Sequence, residues 1–110
     1  MSVDEMVIVL VTVGSAEEAV RVGRPLVEER LAACVNVVGP IRSIYRWKGA
    51  VEDAAEYLLL VKARADDVAL IERRVATLHS YEVPEILAVP LRAGSAAYIA
   101  WLADATARER

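Results

Sequence analysis

CVNVVGPIRSIYRWKGAVEDAAEYLLLVKAR (residues 34–64) holds two runs rich in Val, Ile, Tyr, Trp and Leu that meet at Lys48-Gly49-Ala50. β-forming runs on either side of a glycine-containing turn read as a hairpin. The spacing predicts a long second strand from Cys34 to about Lys48 and a third over residues 51–64. Gly39-Pro40 interrupts the second strand, where a proline implies an edge position or a bulge. Upstream, MVIVLVTV (6–13) reads as strand one, and Ser15 with Glu18 three residues later forms a capping-box signature. Helix one then has Ala16, Ala19, Val20, Gly23, Leu26, Val27 and Leu31 as its apolar stripe, with Pro25 expected to bend it near its middle. Downstream, Asp66 and Asp67 suit a helix start, and Val68, Ile71, Val75 and Leu78 mark one face of helix two, closed by His79-Ser80. Residues 85–91 read as strand four. Ser95 can cap a last helix carrying Tyr98, Trp101, Leu102 and Ala105.

The order βαββαβ followed by a helix is the split βαβ arrangement of an α+β, ferredoxin-like fold, with an antiparallel sheet covered by helices on one face. At 110 residues the chain has room for one domain, spanning 1–110. Val7 to Val11, Leu58 to Val61 and Ile86 to Val89 are apolar at both parities, whereas a sheet with one wet face alternates. The second face therefore needs a cover, most economically a neighbouring copy helped by the last helix. A composition 56% hydrophobic, with mean hydropathy +0.36, points the same way.

Thirteen basic against sixteen acidic residues give a net charge of −3, without the electrostatic footprint of a nucleic-acid binder. No apolar run approaches the ~18 residues of a membrane span. Acidic residues stand where a signal peptide is basic, so the expected location is the cytoplasm. A single cysteine, Cys34, allows no internal disulfide, and neither CxxC nor HExxH occurs.

LVEERLAACVN (26–36), SIYRWKG (43–49) and HSYEVPEI (79–86), followed by Gly94, Tyr98 and Trp101, resemble the CutA family, small proteins associated with tolerance to divalent cations. The resemblance runs from strand one to the last helix. It implies a homotrimer similar in architecture to the PII signalling proteins, a cytoplasmic location in bacteria, and a link to copper and other divalent metals without an accepted enzymatic reaction. In some members the proposed ligands are a cysteine near the end of strand one and one or two histidines at the motif matching His79. Here Val11 or a near neighbour occupies the first position and Leu78 precedes His79, leaving His79 of that set.

His79 is the sole histidine and, when neutral, a ligand type suited to Cu(II). With hard carboxylates such as Glu85 beside it, the expected binding of Cu(II) or another divalent cation is weak. The competing role for His79 is to cap helix two. Cys34, a soft Cu(I) ligand or a small core residue, falls at the opposite end of the sheet from His79. The topology gathers Thr12, His79, Tyr81 and Glu85 at one sheet edge. Tyr45, Trp47, Lys48 and Glu56 of the hairpin arms reach the same level, from the same or a neighbouring subunit. Such an intersubunit cleft suits a small ligand or ion, and a PII-like small-molecule sensor is the alternative function. Tyr81 and Glu85 can instead simply bond the turn and the subunit seam. A weak hydrolase using His79 with Glu85 is the enzymatic alternative, but no nucleophile motif or phosphate loop accompanies the pair. The loop Val13-Gly14-Ser15-Ala16 also lacks the arginine that acylphosphatases of the same βαββαβ order need. Trp47 and Trp101 read as packing at subunit contacts.

Overall fold

β-branched residues at alternate positions give β1 (Met6–Val13) two apolar sides, and the rest of the chain is arranged around it. In the computed structural model, which describes residues 2–108, β1 is followed by α1 (Ala16–Glu28), β2 (Cys34–Trp47), β3 (Ala50–Arg64), α2 (Val68–Leu78), β4 (Leu87–Pro90) and α3 (Ala96–Ala105). The strands form one sheet in the order β2-β3-β1-β4, each neighbouring pair antiparallel. This is the expected α+β arrangement, with β1 and β2 separated by β3.

Val7, Val9, Val11 and Val13 of β1, with Leu59, Val61 and Ala63 of β3, pack against Ala19, Val22 and Leu26 of α1 and Ile71 and Val75 of α2. The expected stripe of α1 is corrected here, because Val22 is buried while Val20 and Val27 are 56% and 40% exposed. The helix presents its 19-22-23-26 line, and a Cβ on Gly23 would lie 3.0 Å from Val35 Cγ1, so the missing side chain sets how closely α1 approaches β2. Pro25 lies in the last turn of α1 rather than near its middle, since the helix ends at Glu28. Arg30, at φ 59°, then turns the chain so that Leu31 enters the core from beyond the helix.

Lys48 and Gly49, at φ 50° and 82°, make the two-residue hairpin turn, whose left-handed backbone suits the twist of the flanking strands. The ladder between β2 and β3 shifts register between Val38 and Ile41, where Gly39-Pro40 announced a bulge. β4 is shorter than the expected 85–91, because its pairing with β1 spans only Leu87 to Pro90.

Cross-strand partners place Ile8, Leu10, Leu58, Leu60, Leu87 and Val89 on the sheet face away from α1 and α2. α3 reaches one end of that face, where Ile99 and Leu102 cluster with Met6 and Ala33. Tyr98 and Trp101 lie with ring centres 5.3 Å apart and are 44% and 46% exposed on the single chain. Because α3 packs through Ile99 and Leu102, its aromatic side points outward. Leu87 and Val89 stay 58% and 45% exposed, so α3 leaves much of the second face open.

Candidate functional site

β1 ends opposite Tyr57, so the hairpin beyond residues 41–56 overhangs the sheet at the end where α2 finishes and β4 begins. The 79–86 connection lies against this overhang. Between them opens a cleft of about 720 Å³, lined by Thr12, Ser43, Ile44, Tyr45, Trp47, Glu56, Tyr81, Glu82, Val83, Pro84 and Glu85. Six of the seven residues expected to share a cleft line it, and one chain supplies them all. The seventh, Lys48, is outside the lining, with its ammonium 3.4 Å from Glu82 and 5.7 Å from the centre of the Trp47 ring. Trp47, expected both among the cleft residues and at a subunit contact, lines the cleft.

Glu56 is only 5% exposed, and its Oε2 accepts a 2.7 Å hydrogen bond from the Tyr81 hydroxyl. Burial, reinforced by that bond and the Glu56 charge, pushes ionisation of Tyr81 upward, so the phenol remains a donor. The Glu85 carboxyl is also pushed up, first by desolvation and then by the charge of Glu56. Glu56 and Glu85 thus line the same cleft, and it is the Glu85 carboxyl whose ionisation is disfavoured.

His79 is arranged differently from the expected ligand. Its side chain is fully buried, Nε2 lies 2.6 Å from the Thr12 carbonyl, and Nδ1 accepts from the Tyr81 N–H at 3.0 Å. That pairing is met by a neutral ring with its proton on Nε2. A metal needs a free nitrogen lone pair, and in this geometry one nitrogen donates while the other already accepts. The expected role as metal ligand is therefore at odds with the hydrogen bonding. His79 instead ends α2, its own N–H bonding to Val75, and its ring ties the 79–86 connection to β1. Among the described residues no group of three or more His, Cys, Asp and Glu side chains could hold a metal ion.

The carboxylate beside His79 is not Glu85 but Glu18, whose Oε2 lies 3.6 Å from Nδ1. Glu18 accepts backbone bonds from Ser80 at 2.8 Å and Gly14 at 3.2 Å. Burial disfavours its charge, yet the bonds from Ser80 and Gly14 outweigh it and hold the carboxyl below its ordinary value. Ser15 caps α1 by accepting from the Glu18 N–H at 3.1 Å, as the capping signature announced. The Glu18 side chain, however, reaches one residue further back, to Gly14, and across to Ser80. Nothing in the spacing of α1 revealed that second partner. The supposed hydrolytic pair is not assembled, because both ring nitrogens of His79 bond backbone groups. Cys34 sits near Asn36 and Lys62, with Sγ 3.7 Å from Asn36 Oδ1 and 4.0 Å from Lys62 Nζ.

Among the described residues no helix is long and apolar enough to cross a membrane. Residues 7–105 match the family model described as CutA1 divalent ion tolerance protein. The chain is 48% identical over 99 residues to the divalent-cation tolerance protein CutA of Thermus thermophilus, covering 90% of this chain and 96% of that one. The solved Thermus protein superposes with a TM-score of 0.89 at 47% identity, over 93% of this chain and 99% of that one. CutA1 from Oryza sativa superposes at 0.90 with 38% identity, over 94% of this chain and 95% of that one. A relative from Archaeoglobus fulgidus, titled a periplasmic divalent cation tolerance protein, superposes at 0.89 with 35% identity, over 93% of this chain and 99% of that one. None of these relatives carries an enzyme name, and those from Thermus and Archaeoglobus are named tolerance proteins. From the first valine of β1 to the end of α3, the chain belongs to the CutA1 family of divalent ion tolerance proteins.

Proposed function

We propose that this chain acts in tolerance of divalent cations as a non-enzymatic homotrimer, and that its point of contact with positive charge is the Glu56–Glu85 cleft rather than His79. The observation that carries this reading is the mutual disposition of the two carboxyls. Partial desolvation in the cleft and then the charge of Glu56 raise the Glu85 carboxyl above its ordinary value, so a cation entering the cleft relieves a repulsion built into the fold. With two hard carboxylates and no imidazole, Cu(II) or another divalent cation binds weakly and mostly hydrated. A sensor role resembling that of the PII proteins draws support from the size and apolar walls of the same cleft. Assembly draws support from the exposed apolar residues of the second face and from β2 and β4, which are the two edges of the sheet. The cytoplasm remains our proposed location, although the periplasmic title of the Archaeoglobus relative shows that compartment varies among relatives.

The test is growth, on elevated Cu(II) and Zn(II), of the source organism deleted for this chain. Growth should be impaired, restored by the wild-type chain, and not restored by Glu85→Gln produced at the same level. Unimpaired growth of the deletion strain on both metals would overturn the proposal.

A further inference from the structure

We infer that the cleft between the hairpin overhang and the 79–86 connection takes an organic cation, a molecule with an amidinium- or ammonium-type head and a flat apolar body. This rests on the reading of that cleft as the point of contact with positive charge, and adds to its weakly held metal ion an organic ligand that fills the remaining space.

Size is the first argument. Small-molecule sites occupy ~300–1,000 Å³, and this cleft, at about 720 Å³, is far larger than a metal ion with its ligands requires. Donor number is the second. A hard divalent ion such as Ca²⁺ or Mg²⁺ seeks ~6 oxygen ligands, whereas no cluster of three suitable side chains exists among the described residues. An organic cation carries its own covalent framework and asks for one or two acceptors.

Charge and wall chemistry complete the case. None of the residues lining the cleft is Lys or Arg, and Lys48 at its margin is paired with Glu82. An anionic ligand would meet Glu56 and Glu85 without compensation, and a neutral one would bury them at a desolvation cost. The Tyr81 hydroxyl fixes one oxygen of Glu56. Tyr45 and Trp47 stand in the cleft 41% and 38% exposed, surfaces on which a flat cation gains cation–π attraction as well as apolar contact. A planar amidinium can also make paired hydrogen bonds to a carboxylate, as a guanidinium does.

Benzamidinium and its uncharged counterpart benzamide are the probes, titrated calorimetrically into the full chain at pH 7. Benzamidinium should saturate at one per chain and bind at least tenfold more tightly than benzamide. Glu85→Gln should weaken it at least tenfold, and Tyr45→Ala should weaken it less. Equal binding of the two probes, or benzamidinium binding unchanged in Glu85→Gln, would overturn the inference. Failure of both probes while Zn(II) binds and is lost in Glu85→Gln would overturn the ligand class alone. Loss of neither ligand in that variant would remove the cleft itself.

Discussion

Glu18 is the residue on which this end of the molecule turns, because its carboxylate accepts from Gly14 at the end of β1 and from Ser80 at the start of the 79–86 connection. Its carboxyl is held below the ordinary value in the folded chain. The contribution is therefore complete above the unfolded carboxyl range, about pH 4.3, and is lost as pH falls through the lower folded value. Urea unfolding midpoints should drop between pH 6 and pH 3.5 by more in the wild type than in Glu18→Gln. At pH 6 the variant should be about 1–3 kcal/mol less stable, because one amide N–H must face another donor. Parallel pH declines in the two proteins would show that Glu18 contributes no linkage. The sequence showed Glu18 as a capping residue and His79 as a candidate ligand. It could not show that the two share a buried corner, since residues 18 and 79 meet only after both helices have docked on the sheet. His79 carries the same lesson: its residue type suggested metal chemistry, and its two backbone partners were invisible until the fold brought Thr12 alongside.

At the scale of elements, the hairpin of β2 and β3 was legible almost to the residue, because turn chemistry and β-branched runs are local signals. The bulge was legible too, from Gly39-Pro40. Its packing reason was not: a Cβ on Gly39 would lie 2.5 Å from Cδ2 and 3.0 Å from Cγ of Tyr57 on the adjacent strand. Gly39→Ala should consequently force the Tyr57 ring or the strand aside and cost about 1–3 kcal/mol. Chemical denaturation checks this, and an unchanged midpoint would mean that the ring moves freely. Helix faces were read less well than strands. Apolar residues that flank a stripe, such as Val20, Val27 and Trp101, satisfy helical periodicity without reaching the core, and only the docking angle separates them from Val22 and Ile99.

The whole molecule presents one sheet face packed by α1 and α2 and a second that α3 covers only at one end. Six of the eleven residues lining the cleft were named from topology, because the ends of β1 and α2 and the start of β4 must coincide in a split βαβ fold and the long hairpin arms reach the same level. The walls of Val83 and Pro84 were missed, since an irregular connection leaves no periodic trace, and Ile44 of β2 was missed because its strand pattern does not tell which face meets the connection. The open second face predicts assembly, and the trimer that the CutA resemblance implies would give a particle of three times the chain mass by light scattering at micromolar concentration; a monodisperse monomer would contradict the proposed assembly. The central claim is that positive charge is met at Glu85 and not at His79. Calorimetric titration of Cu(II) at pH 7 into wild type, His79→Gln and Glu85→Gln, each checked for native circular dichroism, tests it most directly. Weak, saturable binding should persist in His79→Gln and disappear in Glu85→Gln, whereas binding abolished by His79→Gln and untouched by Glu85→Gln would contradict the account.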